Sequence, residues 1–250
     1  MASPRFYVPL DPALLDHALE SHTEIALPEK AAHHARRALR LRNGESVTVF
    51  AGTGSEWQGT IRIAADSASV AITGKDEPHR EPPVRMTLVQ ALVAPEKLDW
   101  IIEKAVETGV TEIVLTPAER SVTRLTGDRL NKRLLKCRDI AVGAAEQCGR
   151  NVIPDIRAAQ SFKAALLDTK ADVRLLLAPG ASENGRFPAG TASVAFAVGP
   201  EGGYSAAEIS QAAEAGWQPV LLGPRVLRTE TAGLAAAVWI NTVLGDYPRN

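Results

Sequence analysis

The sequence predicts an α/β protein in two unequal parts: a small strand-rich part, then a larger parallel sheet covered by helices. Three observations carry this. Short alternating segments crowd the first 75 residues. From residue 84 onward, strand patterns alternate with helical ones. Between them lies 76–83 (DEPHREPP), where proline blocks both helix and central strand, so it reads as a linker.

In the first part, 46–50 (SVTVF), 57–63 (WQGTIRI) and 69–73 (SVAIT) have the period-two pattern of short strands, punctuated by Gly52, Gly54 and Gly59. A helix is expected over 28–39, with Pro28 at a tolerated first-turn position. One helix with several short strands suggests a small β-barrel. Trp57 is either barrel core or an aromatic contact.

In the second part, 84–93 reads as a strand. Segment 96–109 reads as an amphipathic helix, with Leu98, Ile101, Ile102 and Ala105 on one stripe. A strand follows at 112–116, then a long helix at 128–148. Buried-type strands are expected at 173–178 and 193–199. Ser205 and Glu208 form a capping box for a helix over 205–215, ended by Gly216. A short strand at 219–222 and a helix at 229–244 close the chain. That last helix is apolar on nearly every face, which means burial on more than one side, by a core alone or by a core plus a second copy.

Bulk properties narrow the function. The 250 residues are 45% hydrophobic and 23% charged, with a net charge of −1, so polyanion binding must come from local patches. Cys137 and Cys148 form no CxxC pair and suggest neither a disulfide framework nor a zinc site; no metal is expected. Neither a signal peptide nor a membrane span is evident, so a cytoplasmic protein is expected.

Two loops carry the chemistry, and both follow expected strands. One is Gly199-Pro200-Glu201-Gly202-Gly203; the other runs from Leu222 through Gly223, Pro224 and Arg225 to Ala232. Glycine lets backbone approach a flat ligand, and proline fixes the loop shape. Ligands in parallel sheets sit at the carboxyl ends of the strands. By itself such a loop is often only a turn. GxGxxG, GxxxxGK[ST], GxSxG and HExxH patterns do not occur, which disfavours a nicotinamide dehydrogenase, a triphosphatase, a serine hydrolase and a zinc protease.

Taken together, the two loops and the capped helix between them resemble the SPOUT methyltransferases, most closely the 16S rRNA uridine-N3 methyltransferase family. Further matches are 5–8 (RFYV), 41–50 (LRNGESVTVF), 103–109 (EKAVETG) and 144–150 (AAEQCGR), so the resemblance spans almost the whole chain in order. It implies a SPOUT-type parallel sheet over 84–250 with a C-terminal deep trefoil knot, after a PUA-like β-barrel over 1–75 that helps hold RNA. It also implies S-adenosylmethionine as cofactor, 16S rRNA in the small ribosomal subunit as partner, and a homodimer.

Residue by residue, the resemblance places the cofactor against three segments. Leu177, Ala178 and Pro179 end one strand. Val198, Gly199, Pro200, Glu201 and Gly202 end the next. Leu222, Gly223, Leu227, Arg228, Thr231 and Ala232 close the pocket. Methyl transfer to uracil N3 needs that nitrogen's proton removed, and a fixed cation favours the resulting anion. Arg228 is the candidate cation. Glu230 is either the general base or a clamp on Arg228. Thr229 reads as a helix N-cap, and Glu201 as an orienting group.

For RNA contact, Arg5, Arg36, Arg37, Arg40, Arg124 and Arg225 are the candidates. They come mainly from two basic stretches, 31–42 and 120–138. In the second stretch Arg129, Lys132, Arg133 and Lys136 share a helix face, which reads as like charges awaiting a polyanion. The same features also fit a methyltransferase of another RNA site or a non-catalytic RNA-binding assembly factor. Cofactor affinity would separate the last from the others.

Overall fold

The structure, a computed structural model, describes residues 3–181 and 185–248. Two compact units emerge: Met1–Glu81 with Ala145–Ile153, and Pro82–Ala144 with Pro154–Asn250.

The first unit is built on five strands: β1 (Arg5–Tyr7), β2 (Glu24–Ala26), β3 (Ser46–Phe50), β4 (Glu56–Ile63) and β5 (Ala68–Asp76). They pair in the order β1-β3-β4-β5-β2, so β1 and β2 are the ends of the hydrogen-bonded order. β1 runs parallel to β3, and the other pairs are antiparallel. A register shift at Gln58/Gly59 interrupts β4 against β5. Gly59 is obligatory there, because a Cβ would stand 2.5 Å from the Ala71 carbonyl oxygen.

Two helices cover this sheet, where the sequence suggested one. Helix α1 (Pro12–Ser21) starts at Asp11, whose carboxylate accepts the Ala13 amide, and ends at His22 in the left-handed conformation. Leu15 and Ala18 of α1 join Phe6, Val47, Val49, Trp57, Ile61 and Val70 in one core. Trp57 is thus a core residue, and its indole N–H donates to Asp16 at 2.9 Å.

The expected helix over 28–39 is shorter and not uniform. Helix α2 (Glu29–His33) gives way to a wide π-type turn, His34–Ala38. In that turn the Leu39 amide donates to the His34 carbonyl, five residues back. Arg40 follows with a φ of 52°, outside the helix, so Arg36 and Arg40 do not share a helical face. The segment read as a linker is also ordered at its start: β5 runs through Asp76, and Arg80 is ion-paired to Glu56 at 2.6 Å.

The second unit holds six strands: β6 (Arg85–Ala91), β7 (Glu112–Thr116), β8 (Asp155–Ala158), β9 (Val173–Leu177), β10 (Ser193–Val198) and β11 (Gln218–Val220). Every pairing is parallel, in the order β11-β9-β10-β6-β7-β8. Central β10 is buried at all six positions, so it reads as a continuous apolar run. The order turns back between β6 and β10, where parallel sheets open a crevice beyond their carboxyl ends.

Five helices belong with this sheet in sequence: α3 (Pro95–Glu107), α4 (Gly127–Cys148), α5 (Phe162–Asp168), α6 (Ala206–Glu214) and α7 (Thr229–Val243). The last turn of α4 falls within Ala145–Ile153 and so belongs to the first unit. The capping box on α6 forms as expected from Ser205 and Glu208. Helix α7 buries Gly233, Ala236, Ala237 and Ile240, while Val238 and Val243 stay exposed.

Candidate functional site

Three strand ends, β9, β10 and β11, feed loops that meet the start of α7. They enclose one site with two lobes. The larger, polar lobe has a volume of about 410 Å³ and the smaller, apolar lobe about 60 Å³. Pro179, Val226, Leu227 and Ala232 line both and form the wall they share.

Most of the sequence-derived candidates meet here. Val198, Gly199, Pro200, Glu201, Gly202, Arg228 and Glu230 join the shared residues around the polar lobe. Leu177, Ala178, Leu222 and Arg225 line the apolar lobe. Gly223 and Thr231 line neither: both are exposed, Gly223 in a turn with φ 81° and Thr231 in the first turn of α7.

Backbone conformation explains the tight loop after β10. A Cβ on Gly199 would lie 3.2 Å from the Tyr204 nitrogen, and Gly203 has a φ of 67°. Two contacts from the segment after β7 brace the same turn. Arg120 Nη1 donates to the Gly202 carbonyl at 3.0 Å, and the Glu119 amide donates to Glu208 at 2.8 Å.

The expected N-cap role of Thr229 is corrected. Arg228 occupies the N-cap position with no side-chain cap, and Thr229 is the first helical residue. The buried Thr229 hydroxyl donates to the Gly199 carbonyl at 2.6 Å and accepts from Gln90 Nε2 at 3.2 Å. One hydroxyl therefore ties the ends of β6 and β10 to the start of α7. Gln90, at the end of β6, was not legible as a site residue because an isolated glutamine within an apolar strand carries no motif.

Lys97 is a further residue that sequence reasoning missed, as are Val220 and Leu221 in the apolar lobe. Lys97 stands in the first turn of α3, lines the polar lobe, and pairs with Glu201 at 3.3 Å. Glu201 also accepts the Ala94 amide at 3.3 Å. Burial pushes the Glu201 carboxyl up, but its own amide, the Ala94 amide and Lys97 outweigh this and hold it below the usual carboxylate range.

Glu230 and Arg228 divide differently from expectation. Glu230 Oε2 is buried, 4.0 Å from Lys97, and makes no hydrogen bond. Among the described residues no ion pair joins Glu230 to Arg228, so the clamp role is absent from this arrangement. Arg228 is exposed at the lobe's rim.

The RNA candidates separate as well. Arg5 is not on an open surface: it pairs with Glu56 at 2.6 Å, bonds Asn151 and lies over the Phe50 ring. Arg36 bonds the Ala65 carbonyl and approaches Asp66 at 4.0 Å. Arg37, Arg40, Arg124 and Arg225 are exposed. The run of unpaired charges expected on α4 is broken, because Asp99 of α3 pairs with Arg133 at 2.6 Å and Lys136 at 2.7 Å. Among the described residues, no cluster of His, Cys, Asp and Glu could hold a metal ion, and no helix is long and apolar enough to cross a membrane.

Known proteins resemble the chain over nearly its whole length. It matches the RNA methyltransferase domain family over residues 80–241 and the RNA methyltransferase PUA domain family over residues 27–73. The ribosomal RNA small subunit methyltransferase E of Bacillus subtilis is 28% identical, over 89% of this chain and 91% of that protein. The Mycobacterium tuberculosis protein of the same name is 32% identical, over 81% and 80%. Among solved structures, a Legionella pneumophila protein in complex with the cofactor SAM superposes with a TM-score of 0.92. It is 32% identical, covering 99% of this chain and all of the other. The ribosomal RNA small subunit methyltransferase E of Neisseria gonorrhoeae, bound to S-adenosyl methionine, gives a TM-score of 0.89 at 32% identity, with coverage of 99% and 100%.

Proposed function

The chain belongs to the ribosomal RNA small subunit methyltransferase E family, and from that premise we propose that it transfers a methyl group from S-adenosylmethionine to N3 of a uridine in 16S rRNA. The target would be uracil 1498 of the small subunit. One observation carries the reading: three loops that are distant in sequence converge on an apolar slot and a polar chamber with a common wall.

The residues present fit the cofactor. Leu177, Ala178, Leu222 and Leu227 offer the apolar faces an adenine ring needs. Glu201 and Lys97 offer charges to the amino-acid end. The buried Glu230 oxygen without a hydrogen bond is an acceptor still needing a donor, as expected of a ligand site. When bound, the cofactor supplies a methyl group already activated as a sulfonium, so the chain's own task is to prepare the nucleophile.

Arg228 meets the uracil carbonyl oxygens, where charge collects once N3 loses its proton. Its planar guanidinium can offer two parallel N–H groups to such oxygens. Glu230 takes the N3 proton on Oε2. Lys97 is a positioning residue that pairs with Glu201 at 3.3 Å and stands 4.0 Å from Glu230 Oε2. The Thr229 hydroxyl keeps the two loop ends in register.

The same reading includes a deep trefoil knot through the three loops and a homodimer. The exposed Val238 and Val243 on α7 favour the dimer, since a helix apolar on its open side wants a cover. Exposed Arg37 and Arg40 in the first unit are left to meet RNA phosphates.

Calorimetry with S-adenosylmethionine, followed by mass mapping of methylated 16S rRNA, tests the proposal. Micromolar binding and a single methyl on uracil N3 are expected. Binding with the methyl on a ribose or another base would replace the target, and no binding in the presence of small subunits would remove the enzyme.

A further inference from the structure

A second cavity of about 460 Å³ opens in the same unit and is no part of the two-lobed site. Its walls are apolar: Leu92, Leu115, Pro117, Ala118, Leu125 and Leu130. Its mouth is polar, with Arg124, Gln160, Thr123 and Thr126. The volume lies within the roughly 300–1,000 Å³ of small-ligand sites.

The position is informative. Leu92 follows β6, Leu115 lies near the end of β7, and Ala158 ends β8, so the cavity stands at the carboxyl ends of three adjacent strands. The two-lobed site uses the other three strands of the same sheet. The segment after β7 forms one wall of the cavity, and its Arg120 holds the Gly202 carbonyl of the polar lobe. One chain segment thus links the cavity to the polar lobe, as a nucleotide chain spanning both would require.

Charge agrees with that path. Arg124 is exposed at the mouth, and exposed Arg129 and Lys132 continue from it along α4. Arg133 and Lys136 do not contribute, since Asp99 holds them. Asp128 is the acid in the first turn of α4. The balance across Arg124, Arg129 and Lys132 against Asp128 favours a phosphodiester.

We propose that this cavity receives a base flanking the methylated nucleotide, flipped out of its stack, with its phosphate on Arg124. The proposal rests on the reading of the two-lobed site as the place of methyl transfer. A flipped base is held between aromatic or apolar side chains and read by hydrogen bonds along its edge. Leucine and proline walls supply the platform, and the exposed Gln160 amide supplies one donor and one acceptor for a base edge.

The test is steady-state kinetics on small ribosomal subunits lacking the methyl group, with the unaltered protein, Gln160→Ala and the cavity-filling Thr126→Trp. Both positions are exposed, so folding should survive, and S-adenosylmethionine affinity by calorimetry checks that it does. The expected result is a KM for subunits raised roughly tenfold in each variant, with kcat and cofactor affinity within about twofold. Unchanged KM in both variants of an active enzyme would overturn the cavity proposal alone. An unaltered protein that binds the cofactor yet methylates no subunit would overturn the enzyme reading, and this proposal with it.

Discussion

Two groups of charged side chains, one in each unit, are partnered to different degrees. In the first, ion pairs join most of the group, although Arg5 Nε and Glu81 Oε1 stay without a hydrogen bond. Glu56 accepts from Arg5, Arg80 and Asn151, while Arg150 pairs with Glu81 at 2.6 Å. In the second, charges at the carboxyl edge of the sheet are left incomplete. Arg228 stands open, and a Glu230 oxygen is buried without a hydrogen bond. A charge held in a network away from any cavity is scaffold, whereas one that lines a cavity and is incompletely partnered is a candidate for chemistry. Sequence motifs contain both kinds and do not distinguish them.

The largest effect should come from the open side of this contrast. Arg228→Ala should lower kcat by about 10²–10³-fold while leaving the melting temperature unchanged, as for loss of a fixed charge at a developing anion. Single-turnover methyl transfer and thermal melting measure the two halves. Wild-type turnover in this variant would remove Arg228 from the chemistry.

Next comes the closed side. Glu56→Gln should destabilise the fold by roughly 3 kcal/mol, since it removes the carboxylate charge shared by Arg5 and Arg80. Burial pushes the Glu56 carboxyl up, but Arg80, Arg5 and Asn151 more than reverse this, so its folded value is lowered. Its stabilisation is therefore present above the ordinary carboxylate range and lost as pH falls through the lowered folded value. Urea titrations against pH should show a flatter acid limb in Glu56→Gln than in the unaltered protein.

Thr229→Val removes a hydroxyl without changing shape and leaves Gln90 and the Gly199 carbonyl without their shared partner. A loss of about 1–3 kcal/mol is expected, with weakened cofactor binding. Chemical denaturation and calorimetry would detect both, and loss of stability alone would reduce Thr229 to scaffold. The smallest effect belongs to Lys97→Met. Its pairing with Glu201 is partly exposed, so a change of about 1 kcal/mol or less in cofactor affinity is expected. The Glu201 carboxyl should titrate at higher pH in that variant, which carboxyl-labelled NMR would read.

Much of the fold is legible in the sequence because its signals are local. The 112–116 strand and the Ser205–Glu208 capping box coincide with the observed elements, since period and cap chemistry specify them. Helices α1 and α5 and three strands went unread, and the strands are short. Three-residue β1 and β2 and four-residue β8 are too brief to show a period. Helix α1 does carry signals, Asp11 and Pro12 at its start with Leu15 and Ala18 inside. The glycine- and proline-rich loops of the candidate site were legible too, as punctuation after apolar runs. Lys97 and Gln90 were not, because what makes them part of a site is Glu201, Glu230 and Thr229, brought to them only by folding. The same holds for Arg133, whose partner Asp99 lies on another helix.

The wide turn at His34–Ala38 is, in effect, an insertion that the helix has already absorbed. Removing one residue there would let the backbone relax to ordinary helical spacing without breaking the chain's path. Each residue of a helix turns by about 100°. Such a deletion would swing Arg36 or Arg37 around the axis while the core residues before it stayed in place. The turn is thus a natural place for a change of length to re-aim the basic side chains of the first unit.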